Sequence, residues 1–265
     1  MLDILMAAAL EAGKEIMTVH AAGPHVTYKN DCSPVTEADQ RAEDVILSVL
    51  AKNFSSIPVI AEESASQGSV PDATNAFFLV DPLDGTKEFI SGKQDFTVNI
   101  ALIEGGAPVM GVVYAPALGV AWTGHGKNAR KIRVSKEYET TSTHHIRCRA
   151  KPPLPVAVIS RSHCTPKTEA FVAENGLIDS ISIGSSLKFC MLAEGAADVY
   201  PRFSRTMMWD TAAGDAVLRA AGGITLDMAG LPLRYEIDRV REDMLANPDF
   251  IAWGAPPNLS AIRSQ

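Results

Sequence analysis

The chain has 265 residues, of which 46% are hydrophobic and 21% are charged, and its formal net charge is −7. This size and composition are ordinary for a water-soluble globular protein with one large domain or two packed halves. The acidic balance disfavours a nucleic-acid polymer as partner, which would need a basic face, but it does not exclude a small phosphorylated substrate. No apolar stretch reaches the roughly 18 residues that a transmembrane helix requires.

The N-terminal segment, about Leu2 to His20, has the pattern of an amphipathic helix. It carries an acid at Asp3 and no basic n-region, so it does not resemble a signal peptide. The four cysteines are widely spaced, with no spacing typical of a zinc site, and we expect free thiols in a reducing cytoplasm. We therefore expect a cytoplasmic protein, and the sequence leaves open a peripheral contact with the inner face of the cell membrane.

The next predicted elements are a helix and a set of strands. Thr36 and Asp39 have the spacing of a capping box, which predicts a helix that runs towards Asn53. The segments PVIAEE and FFLVD are predicted to be short strands that end in carboxylates. Residues 96–124 are predicted to form successive antiparallel strands, because apolar residues alternate and the breaks fall at glycine and proline.

Residues 135–155 are polar and end in three closely spaced prolines, so we expect them to link an N-terminal half, 1–135, to a C-terminal half, 151–265. The second half alternates between predicted strands in VAVIS, ADVYPR, GGITLD and DFIAWG and predicted helices in TPKTEAFVAENG, SSLKFCMLAEG and DTAAGDAVLRAAGG. This alternation, together with the antiparallel set, predicts a layered α/β or α+β architecture.

The stretch DPLDGTKEFI leaves the strand FFLV through two aspartates, a proline and a glycine. Pro82 favours an extended Asp81, and the chain must then turn at Gly85, which brings two carboxylates and the Leu83 carbonyl together. Oxygen ligands of this kind suit Mg²⁺. An acid-rich turn in which Asp84 caps the next helix explains the same spacing, and for these four residues alone it is the better explanation.

Three other features bear on this turn. Thr86 is predicted to open a helix, whose free N–H groups would suit a phosphate. Glu62 and Glu63 end another predicted strand, where solvated surface acids are the alternative interpretation. Asp210 lies at the start of a strongly patterned helix, and a role as its N-cap is an adequate alternative.

In combination, the segments SPVTEAD, AEES, DPLDGTKEF and WDTAAGDAVLRAAGG resemble the inositol monophosphatase superfamily of magnesium-dependent, lithium-sensitive phosphatases. The resemblance covers nearly the whole chain, from Leu2 to Trp253. Within the superfamily, the segments DGTKEF, SRSH, IGSSLKFCMLAEG and DVYPR look like the CysQ-type 3'(2'),5'-bisphosphate nucleotidases. The resemblance implies a layered α/β/α/β/α sandwich.

The resemblance also implies a metal site with two or three Mg²⁺ ions. The implied ligands are Glu62, Asp81, Asp84, Asp210 and the carbonyl of Leu83, with Asp81 bridging two ions. It further implies that Asp39 and Thr86 form a hydrogen-bonded pair that, with Glu62, prepares the attacking water. The implied reaction is direct in-line hydrolysis of a phosphomonoester, with no phosphoenzyme.

The implied substrate is adenosine 3',5'-bisphosphate (PAP), which would give AMP and phosphate, and its sulfated form, PAPS, is a second substrate. The substrate's reacting phosphate would contact Glu62, Leu83, Asp84, Gly85, Thr86 and Asp210, and the rest of the nucleotide His163, Ser185, Lys188 and Arg202. By themselves, Lys188 could be a snorkelling helix residue, Arg202 a member of a surface ion pair, and His163 an ordinary loop histidine.

Two alternatives remain open. A related enzyme for inositol phosphates would keep the metal site and would not need cations for a second phosphate. A non-enzymatic regulator on the same fold would be expected to lack one or more of the metal acids, all of which are present here.

Overall fold

The computed structural model describes residues 1–29, 33–72, 75–161, 164–177, 179–237 and 243–256. Among these residues, the helices are α1 (Leu2–Ala22), α2 (Glu37–Asn53), α3 (Glu62–Ser66), α4 (Thr86–Ile90), α5 (Pro166–Glu174), α6 (Leu187–Ala193) and α7 (Met208–Ala220). The strands are β1 (Val26–Tyr28), β2 (Pro34–Thr36), β3 (Val59–Ala61), β4 (Ala76–Asp84), β5 (Thr97–Glu104), β6 (Ala107–Ala115), β7 (Val120–His125), β8 (Asn128–Val134), β9 (Thr140–Ile146), β10 (Val156–Ser160), β11 (Asp179–Ile183), β12 (Val199–Arg202), β13 (Ile224–Asp227) and β14 (Phe250–Trp253).

Two large sheets organise these elements. The first has the order β3-β4-β5-β6-β7-β8-β9, and only its β3–β4 pair is parallel. The second is mixed and has the order β11-β10-β12-β14-β13, and β1 and β2 form a separate antiparallel pair. The predicted antiparallel run over residues 96–124 is confirmed as β5, β6 and β7.

The sheets and helices stack in five layers. The apolar stripes of α1 and α2 pack on one face of the seven-stranded sheet, with Leu5, Ile16 and Ile46 fully buried. Helices α6 and α7 fill the space between the two sheets, and α5 covers the outer face of the five-stranded sheet. Each sheet face is thus buried against helices, which confirms the expected α/β/α/β/α sandwich.

Residues 140–146, predicted to belong to a polar link between two halves, instead form the strand β9. This strand pairs antiparallel with β8 at the edge of the seven-stranded sheet, and most of its side chains are exposed. An edge strand is held by backbone hydrogen bonds on one side and buries few side chains, so it shows no hydrophobic alternation. The division of the chain into two halves stays a prediction.

In the described part of the chain, no helix is long and apolar enough to cross a membrane. Three of the four cysteines, Cys148, Cys164 and Cys190, carry free thiols, and Cys32 lies outside the described residues.

Helix α7 lies unusually close to the seven-stranded sheet because glycines face it. Gly111 on β6 pairs with Gly124 on β7. A Cβ atom at Gly111 would lie 2.5 Å from the Ala213 carbonyl oxygen, and one at Gly124 would lie 2.6 Å from that of Ala216. The two glycines therefore set the depth at which α7, and the acid near its N-terminus, lies on the sheet.

We expect Gly111→Ala to lower the free energy of unfolding by about 1–3 kcal/mol, because the added methyl group meets backbone that cannot move alone. Urea unfolding monitored by circular dichroism measures the change. The matched control is Gly254→Ala, where an added Cβ would have its nearest neighbour at 3.5 Å and should be tolerated. Equal effects of the two substitutions would contradict the close-packing argument.

Candidate active site

A cleft of about 290 Å³ opens where the two large sheets approach each other. Ten predicted site residues line it: Glu62, Asp81, Leu83, Asp84, Gly85, Thr86, Ser185, Lys188, Arg202 and Asp210. Asp39 lies behind Thr86, and His163 lies outside the described residues. Residues that are distant in sequence therefore meet at one site.

The end of β4 places the aspartates of DPLDGT in the cleft. Asp81 pairs with Asn99 on β5, and the register between the two strands shifts before Asp84. The chain then turns at Gly85, whose φ of +94° is in the left-handed region. A Cβ atom there would lie 3.1 Å from the Asp95 carbonyl oxygen, so the turn requires glycine for both reasons.

Asp84 does not cap the helix that follows it, so this alternative interpretation is wrong. The structure shows no side-chain cap at the N-terminus of α4. Instead, Asp84 Oδ2 accepts hydrogen bonds from Ser186 Oγ at 3.2 Å and from Asn99 Nδ2 at 3.4 Å. The bulge in β4 has turned this carboxylate into the cleft.

The strand predicted in PVIAEE is confirmed as β3, but it ends at Ala61, and Glu62 and Glu63 form the first turn of α3. The reason is a tertiary contact: the Glu43 carboxylate on α2 accepts the backbone N–H groups of Glu63 and Ser64, at 2.8 Å each. This carboxylate caps α3 from outside the segment, which local sequence could not reveal.

Asp210 is the third residue of α7 and not its N-cap, so that alternative interpretation is also wrong. The helix begins at Met208, and the Asp210 carboxylate accepts the Met207 backbone N–H at 2.9 Å. One oxygen of Asp210 thereby accepts a hydrogen bond from the backbone.

Glu62, Asp81 and Asp210 offer carboxylate oxygens that lie within 4.8 Å of one another.

Asp39 and Thr86 are hydrogen-bonded, as the resemblance implies. Thr86 Oγ1 lies 3.1 Å from Asp39 Oδ1 and 3.2 Å from the Leu83 carbonyl oxygen. The other oxygen of Asp39 accepts the N–H and O–H of Thr36, at 2.8 Å each, which confirms the predicted capping box. Burial raises the pKa of Asp39 to about 6, although its hydrogen bonds with Thr36 oppose the shift.

The acidic cluster is electrostatically costly without a cation. Burial, together with repulsion from the carboxylates of Asp84 and Glu62, raises the pKa of Asp210 to about 8. Burial and the same kind of repulsion hold the pKa of Asp81 well above its usual range. Buried hard oxygen donors that repel one another fit a divalent ion such as Mg²⁺, which would remove the repulsion.

Lys29 lies against this cluster and was missed by the sequence analysis. Its Nζ atom is 2.7 Å from a carboxylate oxygen of Glu62 and 2.7 Å from one of Glu63. Burial alone would lower the pKa of Lys29, but the two carboxylates raise it, so the ammonium stays charged. Nothing in the local sequence marks this lysine, because its partners lie more than thirty residues away.

Two cations line the opposite part of the cleft, and neither is a surface residue. Lys188 is 5% exposed and Arg202 is 7% exposed, so the alternatives of a snorkelling lysine and a surface ion pair are wrong. Burial lowers the pKa of Lys188 to about 8, against the opposing charge of Asp84. The lysine donates to the Ser185 carbonyl and lies 5.4 Å from the centre of the Tyr200 ring.

Comparisons with known proteins agree with this fold and site. Residues 1–252 match the inositol monophosphatase family, and the chain belongs to that family of metal-dependent phosphatases. It is 44% identical to the 3'(2'),5'-bisphosphate nucleotidase CysQ of Escherichia coli strain K12, over 94% of this chain and 98% of that protein.

Solved structures give the same result. A crystal structure of CysQ from Bacteroides thetaiotaomicron matches with a TM-score of 0.78 and 38% identity, over 97% of each chain. An IMPase of Thermotoga maritima matches with a TM-score of 0.77 over 99% of this chain and 95% of that one, but at 23% identity it supports the fold alone.

The raised pKa of Asp210 gives a prediction for the metal-free chain. A buried acid whose folded-state pKa is raised binds more protons when folded than when unfolded, so stability falls as pH rises from about 4 towards 8. We expect Asp210→Asn to raise the free energy of unfolding at pH 8 in a chelator by more than about 1 kcal/mol. Thermal unfolding from pH 5 to pH 8 measures the change.

The control for this experiment is Asp44→Asn, which changes an exposed acid on α2 and should leave stability within about 0.5 kcal/mol. A lower stability of Asp210→Asn than of the wild type at pH 8 in chelator would contradict the repulsion argument.

Proposed function

We propose that the chain is a magnesium-dependent 3'(2'),5'-bisphosphate nucleotidase that hydrolyses the 3'-phosphate of PAP to give AMP and phosphate, with PAPS as a second substrate. The observation that carries this proposal is the composition of the cleft. It combines a cluster of one buried and three partly buried carboxylates with two buried cations, Lys188 and Arg202. A substrate with one phosphate at the reaction centre and another some distance away matches both features, as does the similarity to the CysQ nucleotidases.

The carboxylates of Glu62, Asp81, Asp84 and Asp210, with the Leu83 carbonyl, would hold two or three Mg²⁺ ions. When bound, the ions supply charge neutralisation at the phosphate and at the leaving oxygen, and they lower the pKa of water. The donor set contains no soft ligand, which favours Mg²⁺ over a thiolate-seeking metal.

Thr86 and Asp39 would move the proton of the attacking water. Thr86 lines the cleft, and its Oγ1 donates to Asp39 Oδ1, which leaves the oxygen able to accept a hydrogen bond from a water in the cleft. As Thr86 accepts a proton from water, it can pass its own to Asp39, and Glu62 provides a second acceptor. The backbone amides of Gly85 and Thr86 would hold the non-bridging phosphate oxygens.

The cations of the second half would bind the 5'-phosphate. Lys188 and Arg202 are already desolvated, so their charges act on a bound phosphate with little screening by water. Ser185 precedes Lys188 in the same turn and lines the same cleft. His163 is proposed as a further contact on the basis of the resemblance alone.

The direct test is phosphate release from PAP with and without magnesium. We expect turnover that requires magnesium and that exceeds the rate on an inositol monophosphate. A preference for the inositol phosphate would favour the related phosphatase instead. The absence of turnover on both substrates would favour a non-enzymatic regulator.

We expect Asp84→Asn to lower kcat/KM for PAP by at least ~10²-fold, on the scale of the loss of one preorganised charge-stabilising group. Fold integrity should be retained, because burial and the Glu62 carboxylate disfavour the removed charge more than Lys188 and Ser186 favour it. The control is Asp44→Asn on the exposed face of α2, which should act like the wild type. Near-normal turnover of Asp84→Asn, or of the wild type after exhaustive chelation, would refute the metal mechanism.

We expect Lys188→Ala or Arg202→Ala to reduce kcat/KM for PAP by about 10–150-fold, since a hydrogen bond to a charged group contributes about 1.5–3 kcal/mol. The loss on 3'-AMP, which lacks the 5'-phosphate, should be much smaller. The control is Lys52→Ala at the exposed end of α2. Equal losses on both substrates would mean that these cations do not recognise the second phosphate.

A further inference from the structure

The hydroxyl group of Ser186 lies between two acids of the cleft that come from different parts of the chain. Ser186 is 2% exposed, and its Oγ atom is 2.8 Å from the Asp210 carbonyl oxygen and 3.2 Å from Asp84 Oδ2. The residue joins the end of β4 to the first turn of α7. The sequence analysis assigned no role to it.

The turn that carries Ser186 is held firmly. Ser185 has a φ of +49°, an unfavourable left-handed conformation for a residue with a side chain. Its hydroxyl lies 3.0 Å from Thr97 Oγ1, and the Gly184 backbone N–H donates to Asp95 Oδ2 at 2.7 Å. Both anchors belong to the segment around β5, so the backbone that carries the Ser186 side chain is tied to that segment.

Asp84 depends on this hydroxyl for its orientation. Among the described side chains, its hydrogen-bond donors are Ser186 at 3.2 Å and Asn99 at 3.4 Å, and the second contact is long. The Ser186 backbone N–H and the charge of Lys188 also act on Asp84. Without the hydroxyl, the long Asn99 contact would be the remaining side-chain hydrogen bond among the described residues, and repulsion from Asp81 and Asp210 would be less opposed.

We propose that Ser186 is a positioning residue that fixes the Asp84 carboxylate relative to Asp210 and thereby sets the affinity of the cleft for Mg²⁺. Its proposed effect on the metal site is exerted through Asp84. The inference rests on the magnesium site of the proposed function, but it does not depend on the identity of the nucleotide substrate.

The test is the dissociation constant for magnesium alone, measured by titration calorimetry on the full chain. We expect Ser186→Ala to bind magnesium about 10–100-fold more weakly, the usual effect of removing a hydrogen-bond partner of a ligating group. Ser186→Thr keeps the hydroxyl and should recover most of the affinity. If Ser186→Ala fails to fold, Ser186→Cys, which keeps the volume but donates only weakly, should show the same weakening.

The matched control is Thr225→Val. Thr225 is also fully buried and donates to a carboxylate, that of Asp215 at 2.7 Å, but neither residue is among the proposed ligands. This change should lower the thermal stability and leave the magnesium affinity as it is. An equal loss of affinity in the control would overturn the inference, because it would show a general effect of destabilisation.

A double-mutant cycle isolates the route through Asp84. In an Asp84→Asn background, Ser186→Ala should weaken magnesium binding by less than about two-fold, since the partner that Ser186 orients has already lost its charge. Fully additive losses would overturn the inference.

If wild type and Ser186→Ala bind magnesium equally, the proposed role of Ser186 is wrong and the proposed function stands. A wild type that binds no magnesium would overturn the proposed function and this inference together.

Discussion

Repulsion among buried carboxylates is the constraint on which the rest of this structure depends. Asp81 is 1% exposed, and its charge faces those of Glu62, Asp84 and Asp210. A folded protein tolerates such a cluster only where other groups compensate or where a cation binds. The chain compensates only in part, with the ammonium of Lys29 on Glu62 and Glu63 and with backbone and hydroxyl donors on the aspartates. The remaining negative charge would be neutralised by a divalent ion bound in the cleft.

Helices and a strand of the fold hold the carboxylates of the cleft in fixed positions. The cleft takes its acids from the end of β4, the first turn of α3 and the first turn of α7, each of which is anchored in the seven-stranded sheet or packed against it. Close packing at Gly111 and Gly124 sets the depth of α7 on the sheet, so the position of Asp210 in the first turn of α7 depends on these two glycines. Preorganisation of this kind lets the site hold its geometry before any ligand arrives.

The two ends of the cleft differ in charge but are physically continuous. The turn from Gly184 to Ser186 touches Asp84 on one side, and two residues later Lys188 presents its buried ammonium. Asp84 is the strongest opposing charge that Lys188 meets, and Lys188 in turn lowers the pKa of Asp84 against the effect of burial. A substrate with two phosphates would bind across this boundary. The same residues would then serve both the metal site and the recognition of the second phosphate.

Much of this protein was predictable from sequence because the relevant physics is local. Apolar periodicity located most helices and strands, the capping box at Thr36 placed the start of α2, and Pro82 with Gly85 required the turn that brings Asp81 and Asp84 together at the cleft. Only the tertiary structure decided the features that depend on distant partners. Glu62 and Glu63 were predicted at the end of a strand, but the hydrogen bond from the Glu63 N–H to the Glu43 carboxylate stabilises them as the first turn of α3. Strand β9 is held by its backbone pairing with β8. The burial of Lys188 and Arg202, the ion pairs of Lys29 and the bridging hydroxyl of Ser186 leave no local pattern, because each is fixed by contacts between segments that only the folded chain brings together.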